Sequence, residues 1–371
     1  MRKFAVGVAF LLVLGLAVFA ADGPYTFLKS ISVGAEGGWD YLSVDAAARR
    51  LYVSHATKVV VIDMDKDESV GEIPDLQGVH GFALAPELGL GFASSGRENK
   101  AAIVDLKTLK IIGKVETGEN PDCILYVPAH QEVYTFNGRG RSATVFEAKT
   151  GNVVATIPLG GKPEFAVFDP ATDRIYNNIE DMSQVAVIDA KTHVLAATWP
   201  LKPGEEASGM AVDLKSHRLF IVAGNKLMVV MDDQTGNVVT TVPTGEGTDA
   251  CVFDPGTSLA MGSAGEGNVT VARFEAPDKL TVIQTLATAR GARTMTFDPV
   301  THKIYLSAAE YEAAPEPPAG QPAPRPKMKP DSFKVLVYAY SPGGAPEHLE
   351  LPALPAGVSV LTGGSALDTR R

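Results

Sequence analysis

Seven positions along the chain carry polar or ionisable side chains at a spacing of 40 to 44 residues. They supply four carboxylates, an imidazole, a hydroxyl and a guanidinium: Asp40, His80, Asp122, Glu164, Ser208, Asp249 and Arg293. Carboxylates and an imidazole that meet in space can bind a divalent cation or move protons. The spacing indicates that each of these residues belongs to one copy of a repeated unit.

A second group of polar side chains recurs later in each repeat. Its members are His55, Arg97 with Glu98, Asn137 with Arg139 and Arg141, Asn178 with Glu180 and Asp181, Asn225 with Lys226, Glu266 with Asn268, and Glu310. These residues follow an apolar run and precede another one, so we expect them in loops between strands.

An apolar repeat must position both groups. Its clearest copies read FAVFDPATDRIY, GMAVDLKSHRLF, ACVFDPGTSLAM and TMTFDPVTHKIY. A second landmark, an acidic residue that ends a β-branched run, steps by 42, 42, 42, 43 and 43 residues through Asp63, Asp105, Glu147, Asp189, Asp232 and Glu275. Four short strands in a repeat of about forty residues are typical of a β-propeller blade. The sequence therefore predicts an all-β, seven-bladed β-propeller with four-stranded blades.

The propeller register predicts where the two polar groups lie. Each of the seven spaced residues stands five positions before the turn that follows the first strand. In a propeller the chain enters the innermost strand at this point, so the seven side chains should surround the mouth of the central channel. Successive antiparallel strands bring alternate connections to one side. The loops of the second group should therefore emerge on the same face.

The two ends of the chain predict how the ring closes. The segment TFLKSISVG, which starts at Thr26, matches the fourth strand of other repeats but has no three strands before it. The last repeat has three strands, ending in KVLVYAY, and no convincing fourth. We expect the N-terminal strand to complete the last blade and to cover its sheet edge.

In the sequence of its repeats, the chain resembles the YncE-like, YVTN-type seven-bladed propellers, a group of exported bacterial proteins. The likeness rests on RLYVSHATKVVVIDMDKDESVGEIP, KIIGKVETGENPD and NVVATIPLGGKPEFAVFDPATDRIY, and it covers residues 25 to 342. The YVTN tetrapeptide itself is absent, and YVSH and YNNI stand in its place. The resemblance implies a propeller, export and a binding role rather than a particular reaction.

The chemistry at the channel mouth has two interpretations. The polar side chains can simply cap strand ends and hydrate a wide channel. Alternatively, a bound cation relieves the repulsion among the carboxylates, with His80, Asp122, Glu164 and Asp249 as candidate ligands. Carboxylate and Asn oxygens suit Ca²⁺ or Mg²⁺, whereas His80 and His55 suit Zn²⁺ or another transition metal. The chain has no CxxCH motif, so covalent haem is not expected.

Three stretches fall outside the regular repeat. Residues 1–20 combine Arg2 and Lys3 with an apolar run and read as a signal peptide, although an uncleaved anchor is the alternative. We therefore expect a periplasmic or secreted protein, without a membrane span after cleavage. A Pro-rich insertion at about residues 311–332 interrupts the last repeat of the propeller, which spans 21–342. Residues 343–371 form a loosely ordered tail.

Charge and cysteine content exclude several classes of protein. The net charge is −10, and loss of Arg2 and Lys3 with the signal peptide makes it −12. Nucleic acid is not expected as a partner, because phosphate binding depends on Lys and Arg. Cys123 and Cys251 stand in the third and sixth repeats, too far apart in a ring for a disulfide. We expect two buried thiols.

Three functions remain open on the sequence. The first is an exported binding protein that holds a cation or a small polar ligand at the channel mouth, through Asp40, His55, His80, Asp122, Asn137, Glu164, Asn178, Glu180, Asp249, Glu266 and Arg293. The second is a metal-dependent hydrolase or lyase, resembling the propeller lactonases, in which His80 or Glu164 moves a proton. The third is a scaffold that binds a protein partner on the channel face.

Overall fold

The computed structural model describes residues 23–35, 37–312 and 327–342, together with the backbone of residues 360–362. The predicted signal peptide, the middle of the Pro-rich insertion and most of the predicted tail lie outside these residues. Within the described ranges there is no α-helix, and only three single 3-10 turns occur, at Pro86–Leu88, Gly96–Glu98 and Glu180–Met182. No helix in these ranges has the length and apolar character needed to cross a membrane.

Seven antiparallel sheets form the ring, which confirms the predicted seven-bladed propeller. Blade 1 consists of β2 (Trp39–Asp45), β3 (Arg50–His55), β4 (Lys58–Asp63) and β5 (Glu68–Ile73). Blade 2 consists of β6 (Val79–Ala85), β7 (Leu90–Ser95), β8 (Lys100–Asp105) and β9 (Lys110–Glu116). Blade 3 consists of β10 (Pro121–Val127), β11 (Glu132–Asn137), β12 (Ser142–Glu147) and β13 (Val153–Pro158).

Blades 4 to 6 repeat this order. Blade 4 consists of β14 (Pro163–Asp169), β15 (Arg174–Ile179), β16 (Gln184–Asp189) and β17 (Val194–Pro200). Blade 5 consists of β18 (Ala207–Asp213), β19 (Arg218–Ala223), β20 (Leu227–Asp232) and β21 (Val238–Pro243). Blade 6 consists of β22 (Thr248–Asp254), β23 (Leu259–Ala264), β24 (Asn268–Ala276) and β25 (Lys279–Ala287).

Blade 7 closes the ring as predicted. It consists of β26 (Met295–Phe297), β27 (Ile304–Ala308), β28 (Lys334–Tyr340) and the N-terminal strand β1 (Tyr25–Ser32), in the sheet order β1-β28-β27-β26. β1 pairs with β28 over its whole length, from Tyr25 opposite Tyr340 to Ser32 opposite Lys334. The edge of β28 is thereby covered by a strand from the other end of the chain.

The Asp residues that mark the repeat fold the turn between the first and second strands. The Asp169 Oδ1 atom accepts a hydrogen bond from the backbone N–H of Ala171, and its Oδ2 atom accepts one from the Thr172 hydroxyl. Asp254 and Asp298 bind the equivalent N–H and hydroxyl groups of their own turns. A short carboxylate side chain can form such a turn locally, which explains why the motif recurs from blade to blade.

Three histidines in turns on the face opposite the channel mouth pair with carboxylates of a neighbouring blade. His130 lies 2.8 Å from Asp173, His193 lies 2.8 Å from Glu132, and His302 lies 2.7 Å from Asp254. They are therefore interblade contacts rather than simply hydrated turn residues. The two cysteines are buried and free, as predicted.

A further strand runs inside the ring. β29 (Val360–Thr362) pairs antiparallel with β2, with Thr362 opposite Leu42 and Val360 opposite Val44. It also lies close to the inner strands β18, β22 and β26. A piece of the predicted C-terminal tail therefore occupies the central channel.

Ring closure depends on Tyr25, and its substitution is the first test. Tyr25 is 1% exposed. Its backbone exchanges two hydrogen bonds with the Gln284 amide in blade 6, and its hydroxyl donates to the His302 carbonyl. We expect Tyr25→Ala to lower the free energy of unfolding by about 3–5 kcal/mol, as for other buried aromatic truncations.

Chemical unfolding of the mature chain measures this effect. Leu28→Ala is the control in the same strand, because Leu28 is 47% exposed, and we expect it to cost less than about 1 kcal/mol. Equal costs for the two variants would contradict closure through β1.

Candidate functional site

A β-bulge at the start of the innermost strand orients the side chains at the channel mouth. In blade 1, Trp39 pairs with His55 and Leu42 pairs with Val53, so two residues of β2, Asp40 and Tyr41, face one residue of β3. The same pairing of two inner-strand residues with one residue of the second strand occurs in blades 2 to 6. Such bulges re-aim side chains out of the pleat, and here they bring the spaced polar residues to the centre of the ring.

Three of these residues form a tight cluster. The His80 Nδ1 atom lies 2.7 Å from the Asp40 Oδ2 atom and 3.7 Å from the Asp122 Oδ1 atom. One donor atom of each residue lies within 4.8 Å of the other two, and all three side chains are buried. The Asp40 Oδ1 and Asp122 Oδ1 atoms make no hydrogen bond to any described residue. The cluster could therefore hold a metal ion.

Burial and charge change the proton affinity of this cluster. Burial raises the pKa of Asp40 to about 8, although the hydrogen bond to His80 opposes the increase. Burial alone would lower the pKa of His80, but the negative charge of Asp122 and the hydrogen bond to Asp40 raise it to about 9. At neutral pH the cluster therefore retains protons that a bound cation would displace.

The other carboxylates of the ring have cationic partners. The Lys162 Nζ atom lies 2.7 Å from Glu164 Oε1 and also pairs with Glu180. Burial raises the pKa of Glu164 well above its usual range. Arg293 lies 2.7 Å from Asp249, whose second oxygen accepts a hydrogen bond of 2.9 Å from the hydroxyl of Ser208.

These pairings separate the predicted metal ligands into two sets. His80 and Asp122 meet together with Asp40, which had been predicted only as a ligand-binding residue. Glu164 and Asp249 lie in separate ion pairs. The ring is therefore mostly neutralised from within, and the uncompensated carboxylate charge expected from the sequence is confined to a smaller cluster.

A cavity of about 1080 Å³ opens above the cluster. Its floor includes Asp40, His80, Asp122 and Arg293, and the loops between second and third strands form much of its wall. Gly96 is part of this wall, and a Cβ atom at that position would lie 2.5 Å from the His80 Nε2 atom. The absence of a side chain at Gly96 therefore leaves room for the imidazole.

Tyr41 closes the channel beneath the acids. Its ring stacks on Phe165 of blade 4, with a centroid distance of 5.8 Å, and it is 1% exposed. Its hydroxyl makes no hydrogen bond to a described residue and lies near Asp122, Glu164 and Asp40. Because β29 also occupies the channel, the cavity is a well that opens on one face.

The remaining sequence candidates lie outside the cluster. The Asn137 amide donates to the hydroxyls of Ser142 and Thr144, and the Asn178 amide donates to the carbonyl of Ser208. Both amides thus support the backbone of the ring. Glu266 is exposed and accepts a hydrogen bond from Asn268.

His55 is also separate from the cluster. It stacks on Phe333 at 4.3 Å, and neither ring nitrogen has a hydrogen-bond partner among the described residues. Burial, together with the nearby charge of Lys58, lowers the pKa of His55 to about 4, so its imidazole is neutral at physiological pH.

Sequence reasoning missed Lys162, Tyr41 and Trp39. Lys162 had a signal, since it stands two residues before Glu164, where four of the seven repeats have glycine: Gly38, Gly78, Gly247 and Gly291. A lysine at this otherwise small position could have identified the partner of Glu164. Tyr41 and Trp39 gave no such signal, because aromatic residues beside a core strand are ordinary.

Comparisons with known proteins support the fold alone. No family model matches the sequence, and no curated protein was found to resemble it. Among solved structures, hydrazine synthase of Kuenenia stuttgartiensis matches with a TM-score of 0.65 and 12% sequence identity, over 76% of this chain and 96% of that chain. The propeller implied by the YncE-like resemblance is confirmed, whereas membership of that family stays a prediction.

The pKa shifts of the cluster predict how stability depends on pH. In the unfolded chain an Asp carboxyl loses its proton near pH 4 and a His near pH 6.5. In the folded protein Asp40 and His80 keep theirs to about pH 8 and 9. The folded state thus binds more protons than the unfolded state across this range, and raising the pH from 6 to 9 should destabilise the metal-free protein.

Thermal unfolding in the presence of a chelator, between pH 6 and 9, measures the effect. We expect a flatter profile for Asp40→Asn, because this variant lacks a carboxyl group that itself titrates in this range and whose hydrogen bond helps to raise the pKa of His80. Asp173→Asn, which removes the partner of His130 on the opposite face, is the control and should keep the wild-type slope. Identical profiles for Asp40→Asn and wild type would contradict the assignment.

Proposed function

We propose that this protein is an exported, YncE-like binding propeller that holds a divalent cation at the mouth of its channel and presents it to a small polar ligand. The observation that carries the proposal is the buried Asp40–His80–Asp122 cluster beneath a large open cavity. Export is inferred from the N-terminal sequence, whose leader-like composition is described above.

The electrostatics of the cluster favour a cation. Buried carboxylate oxygens without hydrogen bonds cost free energy, and a metal ion would supply the missing interaction. Three protein ligands leave further coordination positions, and the cavity adjoins the cluster on the open side. A site of this kind binds a metal and still accepts an external ligand.

The donor set favours a transition metal over Ca²⁺. One imidazole nitrogen and two carboxylates suit Zn²⁺, Mn²⁺ or Fe²⁺, whereas Ca²⁺ takes six to eight oxygen ligands. Asn178 does not enlarge this donor set, because its Nδ2 atom donates to the Ser208 carbonyl in blade 5, whereas the cluster lies in blades 1 to 3. We therefore propose His80 as the ligand that selects the metal.

A metal-dependent hydrolase or lyase is the second candidate, and the cavity favours it. A volume of about 1080 Å³ can hold a small substrate beside the cation. The cation would polarise a substrate oxygen. Lys162 reaches the cavity and contacts Glu164, and burial raises the pKa of Glu164 well above its usual range, so Glu164 is the candidate proton carrier. Turnover that requires both metal and Glu164 would favour this candidate over simple binding.

Metal titration of the mature protein tests the proposal. After treatment with chelator, we expect isothermal titration with Mn²⁺ or Zn²⁺ to give one site per chain, and the metal to raise the unfolding temperature. Asp122→Asn removes one charged ligand and should weaken binding by at least about tenfold, in the range seen when metal sites lose a supporting group.

Glu266→Gln is the matched control, since Glu266 is an exposed carboxylate on the same face and outside the cluster. It should bind metal as wild type does. Absence of binding in the wild-type protein, or equal affinity in wild type and Asp122→Asn, would overturn the proposal.

A further inference from the structure

The walls of the cavity above the cluster differ in chemistry from its floor. Loops of blades 2 and 3 contribute three arginines, Arg97, Arg139 and Arg141, and Lys162 follows in blade 4. The acidic floor has its own cations, as described above. Glu119 and Asp181 also line the cavity, so the three arginines leave an excess of one positive charge at the entrance of the well, close to where a bound metal would add more.

At least one of these arginines is available to a ligand. Arg97 is exposed, and its guanidinium makes no hydrogen bond or ion pair with a described residue. Arg97 and His80 line the same cavity, so the Arg97 guanidinium faces the space that a molecule resting on the cluster would occupy. Arg141 has a partner, Asp181 at 2.9 Å, but its side chain is 59% exposed, and such surface pairs are weak.

Aromatic side chains line the cavity on the side of blades 7 and 1. The Trp39 and Tyr311 rings lie 6.5 Å apart, and both line the cavity. Trp39 is supported from behind by Phe333, with a stacking distance of 5.1 Å. Tyr311 is 42% exposed. The half-buried Trp39 ring and the exposed Tyr311 ring offer a surface on which a flat ligand can stack.

We propose that the cavity binds a small organic dianion with a planar ring. One anionic oxygen of the ligand completes the coordination of the metal, another pairs with Arg97 and its neighbours, and the ring packs on Trp39 and Tyr311. Arginine suits this role because its planar guanidinium binds carboxylates and phosphates through two hydrogen bonds. The inference rests on the proposed metal site and adds the class of ligand that the site receives.

Four probe molecules test each part of this ligand by calorimetry on the metal-loaded mature protein. Phthalate and phenyl phosphate carry a ring and negative charge, from a carboxylate and a phosphate source respectively. Succinate lacks the ring, and benzyl alcohol lacks the charge. We expect the first two to bind, succinate to bind at least about tenfold more weakly, and benzyl alcohol to give no detectable binding. Whichever aromatic anion binds tighter identifies the source of the charge.

Two variants test the walls. Arg97→Gln should weaken the binding of phthalate or phenyl phosphate by about tenfold or more while metal affinity stays within threefold of wild type. Tyr311→Ala should weaken the aromatic probes and leave succinate unchanged. Arg273→Gln is the control, because Arg273 is exposed on β24 and does not line the cavity.

The outcomes separate this inference from the metal proposal. Metal binding without binding of either aromatic anion, or anion binding that both wall variants leave unchanged, would overturn the inference and keep the metal site. If the wild-type protein binds no metal, the same probes are titrated into the chelated protein. Binding that depends on Arg97 and Tyr311 would then support the anion site alone, and no binding would overturn it.

Discussion

The fold brings four carboxylates into one buried ring, and the need to neutralise them determines the chemistry of the centre. Asp40, Asp122, Glu164 and Asp249 are each at most 2% exposed. Isolated buried carboxylates are costly, so each needs a counter-charge or a retained proton. Lys162 forms an ion pair with Glu164, and Arg293 forms one with Asp249. Asp40 and Asp122, by contrast, share the single imidazole of His80. The protons that Asp40 and His80 retain supply the balance, and a cation could replace them, which makes this corner of the ring suited to a metal.

The propeller architecture accounts for both the convergence and the accessibility of the site. A bulge at the start of six inner strands turns the polar side chains towards the axis. Tyr41 and the strand β29 fill the channel below them. A ligand can therefore approach the cluster through the open cavity, and the loops around that cavity supply the arginines and aromatic rings that it would meet. The opposite face is held by interblade pairs such as His302–Asp254.

The fold was largely predictable from the sequence, because a forty-residue repeat with Asp-led turns and a missing fourth strand leaves few alternatives. The register also placed Asp40, His80 and Asp122 at the channel mouth, together with the four other polar residues of the ring. The Lys162–Glu164 pair had a local signal in the sequence, whereas the carboxylate with which Arg293 pairs was not predictable, since the Arg293–Asp249 contact depends on side-chain directions across blades. The roles of Asn137 and Asn178 were equally hidden, because an amide that supports a bulge and one that binds a ligand are identical in sequence.

The most direct test of the account is the position of a bound metal. Crystals of the mature protein grown with Mn²⁺ and measured for anomalous scattering would locate the ion without assuming its ligands. The account predicts one strong peak at the channel mouth, about 2.0–2.2 Å from a nitrogen of His80 and from carboxylate oxygens of Asp40 and Asp122. Peaks confined to exposed carboxylates on the outer surface, with none at this cluster, would contradict it.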